Sequence, residues 1–167
     1  ALNLVAKRMV TDQVVLTVGY ENLKGQEKGY KGEVTVDRYG KKVPRHAHGT
    51  ENLEHYTCSG EQIAQAALKI FDRTVDRKLL VRRINLVVSH VIPEEKAPKI
   101  VYEQLDLFTD YAAKEKEAQQ RKKERSLQEA MLQIKSKYGK NAILKGIHFE
   151  EGATGRERNE QVGGHRK

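Results

Sequence analysis

The sequence has 167 residues, with 31 Lys and Arg against 23 Asp and Glu and a formal net charge of +8 at neutral pH. That length suits one domain with extensions, or two very small ones, and 38% hydrophobic beside 32% charged residues leaves part of the chain outside any core. The single cysteine, Cys58, excludes an internal disulfide, and no apolar run reaches the length of a membrane helix or signal peptide, so a cytoplasmic protein is expected.

Leu2, Val5, Ala6 and Met9 recur at helical spacing and predict the last turns of an amphipathic helix over residues 1–10. A helix starting there has no N-cap, and with the absent initiator Met this suggests a fragment of a longer protein. Residues 14–18, Val-Val-Leu-Thr-Val, are a β-branched run of strand length ending at Gly19. Residues 21–50 form a basic excursion poor in apolar groups. Within it Lys24, Lys28, Lys31, Arg38, Lys41, Lys42 and Arg45 outnumber Glu27, Glu33 and Asp37. Two short strands, near residues 33–37 and 42–44, flank Tyr39-Gly40 as a hairpin turn.

Thr57 or Ser59 can cap a helix beginning near Gly60, whose stripe of Ile63, Ala66, Ala67, Ile70, Phe71 and Val75 runs to about Asp76. Residues 79–88 give the strongest strand signal, with Ile84, Leu86 and Val88 on one face. Pro93 and Pro98 bracket a polar stretch that opens a linker over residues 94–109. Residues 110–125 are charged or small and suit a solvated helix. Leu127, Ala130, Met131, Ile134 and Tyr138 continue it as a modest apolar stripe, and Gly139 is placed to end it. Residues 150–167 are rich in Gly and charge, with Val162 their one aliphatic residue, and are expected to be disordered when free.

The most specific motif is Gln104, Leu105, Asp106, Leu107 and Phe108, which follows the Pro-bounded linker. A docking peptide needs apolar anchors and one polar group to fix register. Leu107 and Phe108 can fill an apolar pocket, Leu105 can assist, and the Gln104 amide can bind its rim. The competing account makes Leu105, Phe108 and Tyr111 the first turn of a packed helix.

Arg82 and Arg83 head the long strand and point to opposite faces, so one can meet phosphates without reading sequence; charge protecting a sheet edge is the other account. His46, His48, His55 and Cys58 lack a zinc-site spacing, and histidines in a phosphate-facing loop account for them better. No phosphate-binding glycine loop is present. The carboxylates are scattered, so no two-metal centre for nucleotide transfer is expected. The positive balance suits a polyanion, since Lys and Arg displace counterions condensed on phosphates, although surplus charge also serves solubility.

The run Val81-Arg82-Arg83-Ile84-Asn85-Leu86-Val87-Val88-Ser89-His90-Val91, the strand before residue 20, the helix after Cys58 and the motif at 104–108 come in an order that resembles the little-finger domain of bacterial Y-family translesion DNA polymerases of the UmuC/ImpB/MucB/SamB type. Residues 137–146 and 152–159 look like the C-termini of such proteins in Gram-positive bacteria. The resemblance implies an α+β fold, an antiparallel sheet with two helices on one face and DNA on the other, plus a C-terminal helical extension. It implies a little-finger-like DNA-binding domain over residues 1–93, a clamp-binding linker at 94–109, a helical extension at 110–149 and the tail at 150–167.

Its DNA contacts would be Lys31, Arg38, Lys41, Lys42, Arg45, His46, His48, Arg82 and Arg83, and its clamp contacts Gln104, Leu105, Asp106, Leu107 and Phe108. The partners implied are primer-template DNA and the bacterial sliding clamp, in the nucleoid, during lesion bypass and DNA repair, with a recombinase filament left open. No catalytic residue, metal or cofactor is expected here; Mg²⁺ and the nucleotide would bind the polymerase's other domains. The family's opening strand has no counterpart, the excursion at 21–50 exceeds the usual connection, and Thr17-Val18-Gly19-Tyr20 stands where the family often carries a basic residue. A clamp-binding adaptor without DNA contact is the rival expectation. An RNA-binding module fits less well, because the strands lack paired aromatics for stacking bases.

Overall fold

The computed structural model describes residues 1–23, 30–98 and 111–161, without the side chains of 111–114 and 117. A short helix α1 (Leu2–Ala6) is followed by strands β1 (Met9–Tyr20), β2 (Val34–Val36), β3 (Lys42–Pro44) and β4 (Ala47–Thr57), helix α2 (Gly60–Thr74), strands β5 (Val81–Ser89) and β6 (Ile92–Pro93), then helices α3 (Tyr111–Tyr138) and α4 (Gly155–Glu160). Two compact units result. The first holds the described residues from Lys7 to Pro98; the second holds α3 and the residues after it, with Leu2 and residues 4–6 of α1.

In the first unit β1 is the central strand. It pairs antiparallel with β4 on one side and with β5 on the other, and β6 extends the sheet beside Met9 and Val10. The alternation in β1 explains its place. Val14, Leu16, Val18 and Tyr20 are buried, while Gln13, Val15, Thr17 and Gly19 between them are half-buried, the pattern of a strand with one face on a core.

Helix α2 packs on β4 and β1 through buried Ile63, Ala66 and Ile70. Its start is fixed by Ser59, whose Oγ accepts the Gln62 N–H at 3.2 Å and removes one orphan donor of the first turn. The approach is close at Gly49, where a β-carbon would stand 2.5 Å from Ile70 Cγ2. The chain is therefore α+β with an antiparallel sheet. Where two helices were expected on the sheet, α2 packs on β4 and β1. Ile84 and Leu86 of β5 pair with Val18 and Leu16 and so share the α2 face, yet remain 58% and 48% exposed.

The N-terminal helix is shorter than its periodicity suggested. Arg8 takes a left-handed conformation with φ of 51°, and Met9 and Val10 enter the sheet instead. β2 and β3 form a separate two-stranded hairpin, Val34 opposite Pro44 and Val36 opposite Lys42, turning at Gly40 with φ of 75°, where glycine is at home. Asp37 holds the turn by accepting the Tyr39 and Lys41 N–H groups at 2.8 and 2.9 Å.

In the second unit α3 ends at Gly139, whose φ is 95° and whose N–H reaches the Lys135 carbonyl at 3.0 Å, the left-handed helix stop glycine favours. Of the apolar stripe anticipated on α3, Met131 and Ile134 are half-buried and Ala130 is exposed. Leu127 and Tyr138 are exposed, and the least exposed residue is Gln128, flanked one turn on by half-buried Met131 and Leu132.

Residues 150–161, expected to be disordered, contain α4. Asn141 holds it: Nδ2 donates to the Arg156 carbonyl and to Glu160 Oε1, both at 3.3 Å, and Oδ1 accepts from Asn159 Nδ2 at 2.6 Å. Residues 162–167 lie outside the described residues. Among the described residues no helix is long and apolar enough to cross a membrane.

Candidate nucleic-acid interface

The face of the sheet opposite α2 is assembled by register. Gly19 of β1 pairs with Arg83 of β5. Thr17 lies between His48 of β4 and Asn85 of β5, Val15 between Thr50 and Val87, and Gln13 between Asn52 and Ser89. These positions alternate with the buried residues of β1, so their side chains emerge on the side away from α2. The face carries amides, hydroxyls, two valines, one imidazole and one guanidinium. No carboxylate stands at any of these paired positions.

Local contacts organise the face. Gln13 Nε2 donates to Asn52 Oδ1 at 2.9 Å, and Thr17 Oγ1 bonds His48 Nδ1 at 2.9 Å. His46, just before β4, has its ring 6.4 Å from that of His48, edge to face. Arg83 is exposed and forms no ion pair among the described residues. Its Cβ lies 3.8 Å from where a β-carbon on Gly19 would stand, so the absent side chain leaves room for the arginine stem across the middle strand. Arg83, His46 and His48 thus stand at one end of a polar sheet surface.

The other basic residues divide differently. Arg82, beside the register irregularity between Gly19 and Tyr20, has its Nε 3.9 Å from Glu21 Oε2. It also approaches the hairpin. The Asp37 carboxyl is held below the usual carboxylate value by the Lys41 N–H above all, then by the Tyr39 N–H and the charges of Lys41 and Arg82.

Arg45 is paired with Glu33, which pushes its guanidinium pKa up. Arg38 bonds the Tyr39 hydroxyl and lies 4.7 Å from that ring's centre. Lys31, Lys41 and Lys42 are exposed. The nine basic and histidine residues expected at DNA therefore divide into a sheet-face set of Arg83, His46 and His48, a set of five in and around the hairpin in which Arg45 and Arg38 already have partners, and Arg82 beside Glu21. The motif Gln104, Leu105, Asp106, Leu107 and Phe108 lies outside the described residues.

Sequence reading missed the neutral half of the face. Gln13, Thr17, Thr50, Asn52 and Asn85 carry no charge to attract notice, and β4 shows no apolar alternation. The signal available was polar spacing at 13, 17 and 48, 50, 52, each two residues apart or a multiple of it. Among the described residues no three His, Cys, Asp or Glu side chains gather as a metal-holding group; His46 and His48 meet each other without His55 or Cys58. No protein-family model, curated protein or solved structure matches the chain.

Proposed function

We propose that the chain holds duplex DNA against the sheet face opposite α2 and tethers a translesion DNA polymerase to its sliding clamp through residues 104–108, serving lesion bypass and repair. The observation that carries the DNA half is the sheet face whose paired positions around residues 13–19 bear no carboxylate and which carries Arg83, His46 and His48. A phosphate backbone repels carboxylates and rewards cations and neutral donors, and such contacts position a duplex without reading its sequence. The exposed Lys41 and Lys42 of the hairpin would add further phosphate contacts. Support for the clamp half comes from the motif's chemistry and from the resemblance to the C-terminal part of Y-family polymerases. In that setting this chain supplies grip and tether, and catalysis belongs to other domains of the polymerase.

The test is duplex binding by fluorescence anisotropy across roughly 50 to 200 mM salt. Arg83→Glu should weaken binding to all sequences alike, and the logarithmic salt slope should flatten by roughly 0.9 for each phosphate that is no longer neutralised. Unchanged affinity at low salt defeats the DNA half and leaves an adaptor that binds only the clamp.

A further inference from the structure

The second unit leaves two aromatic rings in solvent. Its closing contacts are polar, the amides of Asn141 and Asn159 with Glu160 and the Arg156 carbonyl. Meanwhile the rings of Tyr138 and Phe149 are 67% and 66% exposed. Each ring has a cation over one face: Lys137 Nζ is 5.2 Å from the Tyr138 ring centre, and Arg156 Cζ is 5.5 Å from that of Phe149. Phe149 ends a 3-10 turn, Gly146–Phe149, and that turn is fitted closely to α4, since a β-carbon on Gly155 would stand 2.2 Å from His148 Nδ1. Across residues 111–161 twelve Lys and Arg stand against eight Glu and no Asp. Several of those glutamates are engaged, among them Glu160 by Asn141, Glu129 by Arg125 at 2.7 Å and Glu124 by Gln128 at 3.2 Å.

We propose that this unit is a second nucleic-acid site, one that takes single strands. Unpaired bases stack on Phe149 and Tyr138, and Arg156 and Lys137 beside the rings hold the neighbouring phosphates. Every base has a π face, so an exposed ring with an adjoining cation binds a single strand with little regard to sequence. A duplex keeps its bases stacked on each other and offers these rings nothing. The sheet face has the opposite character, cations and amides with no phenyl or phenol ring, so the two surfaces suit different nucleic acids. Glu150 and Glu151 follow Phe149 directly and oppose phosphate, so they limit the affinity of the site.

The chain contains no tryptophan, which makes Phe149→Trp a single-tryptophan reporter that can be excited selectively over the tyrosines. Full-length F149W is titrated with oligo(dT) and with oligo(rU). Saturable quenching is the expected result, with similar affinities marking a general single-strand site and a preference naming DNA or RNA as its natural source. Phe149→Ala should weaken oligo(dT) binding about tenfold, the loss of one stacked base, and the double change Glu150→Gln with Glu151→Gln should tighten it. Hydrogen exchange at residues 155–160 checks that the unit still folds. Arg83→Glu in the F149W background should leave quenching intact while duplex binding falls, so failure on the sheet face and failure here are read separately. Absence of quenching with both oligomers overturns the proposal and leaves the exposed rings to a protein partner. Loss of quenching with Arg83→Glu also overturns it, because the oligomer is then on the sheet.

Discussion

Ile70 of α2 rests directly on Gly49 of β4: a β-carbon at position 49 would come within 2.5 Å of Ile70 Cγ2 and 3.1 Å of Thr74 Cγ2. Ile70 is fully buried and cannot swing aside into solvent. Gly49→Ala should therefore lift α2 from the sheet and cost about 1–3 kcal/mol, the usual penalty of overpacking. Urea denaturation of the variant measures it. A neutral result would mean that the helix slides to accommodate a methyl.

The hairpin turn should be acid-labile. Asp37 accepts two turn N–H groups as a carboxylate, and its pKa lies below the ordinary value. A carboxyl with a depressed folded-state pKa stabilises fully above its unfolded value, about 3.9, and that contribution is lost as pH falls through the folded value. The Tyr39 and Lys41 amides should lose protection together over that acidic window. Asp37→Asn should remove the pH dependence, and NMR titration of the two amides reports both.

Legibility followed from how each element is held. The core of β1 could be read because Val14, Leu16 and Val18 alternate with their neighbours, and α2 because Ser59 caps an unbroken apolar stripe. β4 could not. Its inward positions include Ala47, Gly49 and Glu51, chosen for closeness to α2 and for the ion pairs of Glu51 with Lys69 and Arg73, so its strand character comes from pairing with β1. Of the candidate interface, the basic residues stood out in the sequence, while their division between sheet face and hairpin depended on register and on acidic partners. That Arg82 is drawn to Glu21 while Arg83 stands on the open face is a consequence of pairing across the sheet. Helix α4 was hidden for a related reason: composition measures apolar burial, and α4 is tied by amides.

Asn141→Ala tests that tie. It removes the donor to Arg156 and Glu160 and the acceptor for Asn159, each bond contributing about 0.5–1.5 kcal/mol net. A six-residue helix has little stability of its own, so amides across residues 155–160 should lose hydrogen-exchange protection. Those of Val14 and Val18 in β1 should keep theirs. Retained protection at 155–160 would assign α4 to some other support.

The two halves of the proposed function can be separated in one pair of variants. Residues 107 and 108 are adjacent large apolar groups, Leu and Phe, between Asp106 and Asp110. Burying each gains about 1.5–3 kcal/mol over leaving it in water, and a few such anchors dominate the affinity of a docking peptide. Changing Leu107 and Phe108 to Ala should therefore abolish most clamp affinity in a pull-down or calorimetric titration, while duplex binding and its salt slope stay as in the parent chain. Arg83→Glu should do the reverse, since a sheet-face guanidinium meets phosphate and contributes nothing to the peptide. Thermal unfolding decides the competing account of the motif. If Leu107 and Phe108 belonged to a packed helix, their loss would lower stability by roughly 2–5 kcal/mol; a docking peptide leaves the transition where it was. A double variant that keeps clamp binding, or one that unfolds early in a chain that never bound the clamp, removes the tether and leaves only the DNA-holding face.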